Sequence, residues 1–353
     1  MKVVVTGATG NVGRAVVKAL EVDHEVDSVV GIARRAPLAA GGRVSYAVAD
    51  VAFDDLRPFF NGADAVIHLA WHFQPTHDPD TTWMNNCVGS QRVFDAAARS
   101  GVSTVVYASS VGAYSPVSTG DDTPRDENWP THSLPGSCYG REKAYVEREL
   151  DAFEAACPDV RVIRMRPSFI FGRDAASEQR RIFAGPLVPN RLLRPATLPF
   201  LPYPRGLRFQ ALHVSDVAAA YVAAALGDRD VRGAFNLAAG PVIVGDDVAR
   251  LLKTRLMPVS PSLAIAGIAA AWHLRLAPTE PDLLKLALRL PLLDTTRASE
   301  ILGWRPRFSS LAALQEMLRG VAQGAGAPTT PLAPDSVTER AREFESHVGG
   351  RDV

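Results

Sequence analysis

The sequence predicts an α/β protein: a doubly wound parallel sheet with a smaller, discontinuous C-terminal lobe. Short apolar runs at residues 3–6, 26–33, 44–48, 65–70, 102–109 and 160–165 alternate with helical stretches, the order in which β-α-β units lay parallel strands side by side. A glycine-rich turn joins the first run to a helical pattern over 14–20. After Gly172 the alternation breaks into a Pro- and Arg-rich stretch, 173–206, and a strand at 209–214 and a helix at 215–226 then resume it. The expected division is 1–170 plus 209–240 for a sheet domain, 171–208 plus 241–320 for a substrate-binding lobe, and 321–353 for a linker and polar tail.

The first strand, Met1-Lys2-Val3-Val4-Val5-Thr6, runs directly into Gly7-Ala8-Thr9-Gly10-Asn11-Val12-Gly13. Strand, glycine turn and helix together are the context of a dinucleotide site. Gly7 permits the tight turn, Gly10 lets backbone approach a pyrophosphate, and Gly13 allows close helix packing, with phosphates resting on the helix N-terminus at Asn11 and Val12. The sheet domain is therefore expected to be an NAD(P)-binding domain of Rossmann type. The second strand ends in Gly31-Ile32-Ala33-Arg34-Arg35. An acidic residue there would hold the ribose 2′-hydroxyl of NAD; its absence, and the planar fork of Arg34, favour NADP over NAD. Stacking on adenine, or two solvated arginines on a loop, would leave the same sequence.

The run Val105-Val106-Tyr107-Ala108-Ser109-Ser110 reads as a buried strand ending in hydroxyls, so Ser110 is placed to hydrogen-bond a carbonyl oxygen. Tyr139 and Lys143 stand four apart on a helical stretch and share a face. A free phenol has a pKa of roughly 10, and a lysine held close would pull it down for proton transfer near neutral pH. Alone, that spacing is ordinary helix surface. Joined to Ser110 and three glycines each three residues apart, it resembles the short-chain dehydrogenase/reductase superfamily, and more narrowly its extended branch, the NAD-dependent epimerase/dehydratase family.

Further landmarks carry the resemblance to about residue 318. Asp50-Val51 matches the acidic position against the adenine, Val66-Ile67-His68-Leu69-Ala70 the strand under the cofactor, and Asn86 the family's helix asparagine. Arg166-Pro167 resembles the turn beside the nicotinamide, and Leu302-Gly303-Trp304-Arg305-Pro306 the closing motif. The resemblance implies Tyr139 as acid/base, Lys143 as the group that lowers its pKa and binds the nicotinamide ribose, and Ser110 as the holder of the reacting oxygen. Asn86 would order a water or a helix bend; a helix cap or core amide is the other reading. It also implies Asp50, Val51, Ala70 and Pro167 among the cofactor-binding residues.

Family members that dehydrate carry a carboxylate pair after the serine or threonine, and here Val111-Gly112 follow Ser110. Nucleotide-sugar members usually show asparagine three residues after the strand-ending arginine, where this chain has Phe169. Hydride transfer on a less polar carbonyl or secondary alcohol is thus the expected reaction. The alternatives are a nucleotide-sugar epimerase using transient oxidation and a non-catalytic nucleotide-binding sensor.

Composition narrows the partners. Lys+Arg and Asp+Glu both number 38, so no global field draws nucleic acid or an anionic membrane. Cys87, Cys138 and Cys157 show no paired spacing, and Met1 leads straight into the first strand, so the cytoplasm is the expected compartment. His72, His77 and His213 lack ligand-spaced partners, and no metal is expected. A small-molecule substrate is the expected partner, with a homodimer left open. The stretch 186–204 would be a long structureless loop with a binding or lid role. The longest apolar run, 263–272, falls short of the roughly 20 residues that span a bilayer and reads as a buried helix or a lid over an apolar pocket.

Overall fold

The computed structural model describes residues 1–35 and 41–350, so the last three residues of the expected tail lie outside it. Seven parallel strands form the central sheet. Their order is Gly233–Leu237, Arg161–Pro167, β5 (Thr104–Ala108), β4 (Ala65–His68), β1 (Lys2–Thr6), β2 (Ser28–Ala33) and β3 (Val44–Val48). The chain builds outward from β1 to β3 and then returns to the other side of β1, pairing Val3 with Ala65 and Thr6 with His68. That reversal opens a crevice beyond the carboxyl ends of β1 and β4, where open α/β sheets bind ligands.

Both sheet faces are covered. Val3 and Val5 pack with Val16, Leu20, Val217 and Tyr221 from the helices Asn11–Glu21 and Val214–Leu226. Val4 turns to the opposite face, into a cluster with Val93, Phe94, Val146 and Leu150 from the helices Gly89–Arg99 and Cys138–Ala156. Strands buried on two faces read as continuous apolar runs, which is why their positions were visible in the sequence. The closing motif clamps the sheet domain: Trp304 Nε1 donates to the Asp216 carbonyl at 2.8 Å, and the Asp216 carboxylate accepts the Arg307 and Phe308 amides at 2.9 Å.

The smaller C-terminal lobe is discontinuous. Outside the central sheet, Phe169–Phe171, Phe209–His213 and Ala239–Ile243 form a three-stranded sheet, and Phe200–Pro204 pairs in parallel with Arg255–Val259 in a two-stranded ribbon. The stretch 186–204 is therefore not structureless. It holds a 3₁₀ turn at Asn190–Leu193 and a strand whose partner lies far along the chain, a pairing local pattern could not reveal. The run 263–272 does form a helix, Pro261–His273, but none of its residues is buried, because its main neighbour is the short helix Pro281–Ala287 and it stands outside the core clusters.

Residues 324–350 fold back on the molecule. Ser177 donates from its amide and hydroxyl to Ala325 O, and the Thr329 hydroxyl donates to Thr9 O at 2.9 Å. The helix Val337–Glu345 is capped by Ser336, and buried Glu343 accepts both Arg180 terminal nitrogens, at 2.5 and 3.0 Å.

Candidate active site

The glycine turn sits at the mouth of the crevice. Gly7 adopts φ +70°, a conformation costly for a side chain, and a Cβ there would lie 2.7 Å from Ala70 N. At Gly13 a Cβ would lie 2.1 Å from Gly7 O, so only glycine lets the helix Asn11–Glu21 start this close to the turn. Gly10 caps that helix with no side-chain acceptor, and the first-turn N–H groups of Asn11, Val12 and Gly13 have no partner within the helix. One cleft runs along this turn, lined by Gly7, Gly10, Arg34, Asp50, Val51 and Ala70, and it also takes in Trp71, Asn86, Glu178 and Arg181. Orphan amides at a glycine turn are the donors a pyrophosphate needs. Trp71 Nε1, buried at the cleft without an acceptor among the described residues, adds an unused donor. These residues fit a dinucleotide.

Ser110 and Tyr139 meet at the end of β5. Ser110 is extended, its Oγ accepts the Gly112 amide at 3.0 Å, and both it and the Tyr139 ring lie against Gly112. Tyr139 lies in the first turn of Cys138–Ala156, which the Ser137 side chain caps through Gly140 N at 3.3 Å. Burial pushes the phenol up to about 12, with the Ser110 side chain pulling the other way. A Cβ on Gly112 would stand 2.7 Å from the Tyr139 ring, so this glycine is what lets the ring lie over the serine turn.

Lys143 reaches from the Tyr139 helix to β5. Its Nζ donates to Ala108 O at 2.6 Å and sits 3.3 Å from the centre of the Trp71 ring, whose plane meets Tyr139 edge-on at 6.0 Å. Burial holds its ammonium well below the ordinary lysine range, with Glu142 opposing. The strand carbonyl and the indole face each engage the ammonium. Phe73 stacks on Tyr139 at 4.9 Å and 15°. A second cavity, lined by Tyr139, Phe73, Thr76, Cys138, Glu142 and Glu280, opens on the other side of this aromatic pair.

Asn86 lies in a π-helical turn, Met84–Val88, and its side chain is held by three hydrogen bonds within the protein. Its Oδ1 accepts the His72 amide at 2.7 Å, and its Nδ2 donates to His72 O at 2.8 Å and to Glu142 at 2.7 Å. Asn86 thus pins the segment carrying Trp71 and Phe73. Pro167 ends its strand in buried surroundings and lines neither cavity.

Three features escaped the sequence reading. Glu147, one turn beyond Lys143 and 1 % exposed, accepts Ser109 Oγ at 2.5 Å and Arg166 through Nε and Nη2 at 2.8 and 2.9 Å. It ties the end of β5, the Tyr139 helix and the strand Arg161–Pro167 into one unit. Thr330 and Pro331 close the cleft from the C-terminal segment, where Gly, Ala, Pro and Thr had read only as a linker. Glu178 lines the same cleft; burial raises its carboxyl to about 7, against Arg181.

Residues 3–238 match the NAD dependent epimerase/dehydratase family. Among curated proteins, the chain is 30% identical to a UDP-glucose 4-epimerase of Neisseria meningitidis serogroup B, over 68% of this chain and 78% of that one. It is 28% identical to an L-arabinose 1-dehydrogenase (NAD(P)(+)) of Haloferax volcanii, over 50% of this chain and 70% of that one. Among solved structures, MoeE5 in complex with UDP-glucuronic acid and NAD superposes with a TM-score of 0.66 at 24% identity, covering 92% of this chain and 99% of that one. The Thermus thermophilus UDP-glucose 4-epimerase complex with NAD gives 0.65 at 20%, covering 91% and 99%.

Proposed function

The chain belongs to the NAD dependent epimerase/dehydratase family, and from that premise we propose that it is an NAD(P)-dependent oxidoreductase acting on a carbonyl or secondary alcohol. The meeting of Ser110 and Tyr139 around Gly112, where a Cβ would lie 2.7 Å from the Tyr139 ring and 3.4 Å from Ser110 Oγ, at a strand end beside the glycine-turn cleft, carries this reading. When bound, the nicotinamide supplies or accepts the hydride. Ser110 orients the substrate oxygen, and Tyr139 exchanges a proton with it. A phenol raised to about 12 is protonated at neutral pH, which suits it to donate during carbonyl reduction. The amides of Asn11, Val12 and Gly13 and Trp71 Nε1 would hold the pyrophosphate and nearby oxygens, and Lys143 the nicotinamide ribose. Asn86 and Glu147 act by position. Within this reading, 1–170 plus 209–240 bind the cofactor and 171–208 plus 241–320 the substrate.

NADP is the proposed cofactor. Arg34 and Arg35 line the cleft just beyond Ala33, where an acid would select NAD. Arg34→Asp should shift the NADP-to-NAD dissociation-constant ratio towards NAD by roughly tenfold or more, since a charged hydrogen-bond partner is replaced by a like charge. Fluorescence titration with both cofactors reads this directly, and an unchanged ratio would make Arg34 a surface residue.

Glu178 adds a pH dependence. Below about pH 7 its carboxyl is neutral, and above that an anion stands in the cleft. Cofactor affinity should therefore fall as pH rises through 7, by at most about tenfold per pH unit for one proton. Titrations from pH 6 to 8.5 should show that fall in the parent protein and a flatter profile in Glu178→Gln; identical profiles would remove Glu178 from the site.

Nucleotide-sugar epimerisation is the second reading, favoured by the relatives named UDP-glucose 4-epimerase and by the neighbour structure holding UDP-glucuronic acid. Against it, Phe169 packs with Phe171 and Phe209 in the apolar surroundings that reach Tyr139, which would leave a sugar's hydroxyls poorly paired. Cofactor balance separates the two. Net NADPH oxidation with a panel of aldehydes and ketones is expected. A C4 epimer accumulating from UDP-sugars without net absorbance change would select the epimerase, and inactivity in both assays with intact cofactor binding would select a sensor.

A further inference from the structure

The helix Pro261–His273 is apolar almost all round, yet none of its residues is buried. Helices of that composition are normally enclosed. Leu263 is 66% exposed, and Leu274 and Leu276, just past its end, are 68% and 47%. The apolar surface continues onto the adjoining ribbon through Met257 and Phe200, at 44% and 49%. Ribbon and helix are joined directly: Arg255 pairs with Phe200 and Val259 with Pro204, the Arg205 amide donates to Val259 O at 2.9 Å, and Ser260 caps the helix. Large exposed apolar side chains gathered on adjoining elements mark an interaction site.

Charge identifies the occupant. The chain as a whole is balanced, but the two stretches that build this face and its approaches, 179–215 and 248–279, contain no Asp or Glu. They carry exposed Arg191, Arg194, Arg205, Lys253, Arg255 and Arg275. A second copy docking face to face would bring these cations against one another across the two-fold axis. An anionic bilayer supplies both an apolar layer and facing phosphates. We propose that this face of the C-terminal lobe docks on membranes containing anionic lipid, with the helix and ribbon entering the headgroup region and the cations meeting the phosphates.

Docking is lateral. A helix of 13 residues is about 20 Å long, short of the ~30 Å hydrocarbon core, and among the described residues no helix is long and apolar enough to cross a membrane. The docked face also adjoins the site. Trp272 Nε1 donates to Thr76 Oγ1 at 3.1 Å, its ring stacks on His77 at 4.0 Å, and Thr76 lines the cavity that Tyr139 lines. Because the readout is binding, the proposal stands or falls independently of which reaction the enzyme performs.

Flotation of the full-length protein with vesicles of phosphatidylcholine, with and without phosphatidylglycerol, tests it. Association with the anionic vesicles at low ionic strength is expected, declining as salt screens the cations. Arg255→Glu should weaken it by about fivefold or more, and Leu263→Glu by about tenfold or more, with circular dichroism and cofactor affinity unchanged. Failure to float with either vesicle, or flotation indifferent to both variants, would overturn the proposal. So would a stable dimer in native mass measurements that Leu263→Glu dissociates, or equally tight binding to polyglutamate that Leu263→Glu leaves intact.

Discussion

Tyr139→Phe should lower turnover on any identified substrate by roughly 10²- to 10⁴-fold, the usual contribution of a positioned proton donor, while the cofactor dissociation constant stays near that of the parent. The change removes one oxygen and keeps the ring. Phe73 stacks on that ring and Gly112 lies beneath it, so the packing that orients position 139 survives. What disappears is the phenol hydroxyl beside the Ser110 turn. Steady-state kinetics with parallel cofactor titration check the split: lost turnover with lost binding would mean that the ring position had collapsed, and retained turnover would mean that the proton comes from elsewhere. Cys138 and Glu142, which line the same cavity, are the groups that retained activity would bring forward.

Glu147→Ala should destabilise the fold by about 3 kcal/mol or more, because it strands the buried Arg166 guanidinium without a carboxylate, whereas Arg164 keeps Asp151 and Glu154. Burial pushes the Glu147 carboxyl up, but hydrogen bonding and charge from Arg166, with Arg164, outweigh it, so it titrates below its ordinary value. The folded pKa is the lower one. The stability it contributes is therefore fully present above the ordinary value of 4.5 and is lost as pH falls through the folded value. Urea denaturation at pH 7 should show the full deficit of the variant, and the gap to the parent should narrow in acid. A deficit under about 1 kcal/mol at pH 7 would mean the network contributes little.

The two expected results differ in how far each was legible from sequence. Tyr139, Ser110 and the glycine turn stood out because each belongs to a short, local pattern: a four-residue helical spacing, a strand end, a strand-turn-helix junction. The strand positions were legible for a similar reason, since a sheet covered on both faces demands unbroken apolar runs such as 3–6 and 65–70. Local pattern thus determined the fold class, the family and the chemistry-bearing end of the sheet.

What only the tertiary structure decided depends on partners far apart in the chain. Lys143 was placed beside Tyr139 by helical spacing, but Trp71 and the Ala108 carbonyl, neither on that helix, set where its ammonium points. Glu147 carries no local signal in the sequence, since its partners Ser109 and Arg166 come from the end of β5 and from the strand Arg161–Pro167. The segment after Gln323, linker-like in composition, became a wall of the cleft through one hydroxyl reaching Thr9 across 320 positions. The helix Pro261–His273 shows the converse: its apolar composition forecast burial, and the fold left it bare. Composition states what a segment would gain by being covered, whereas packing alone determines whether a partner within the chain is there to cover it.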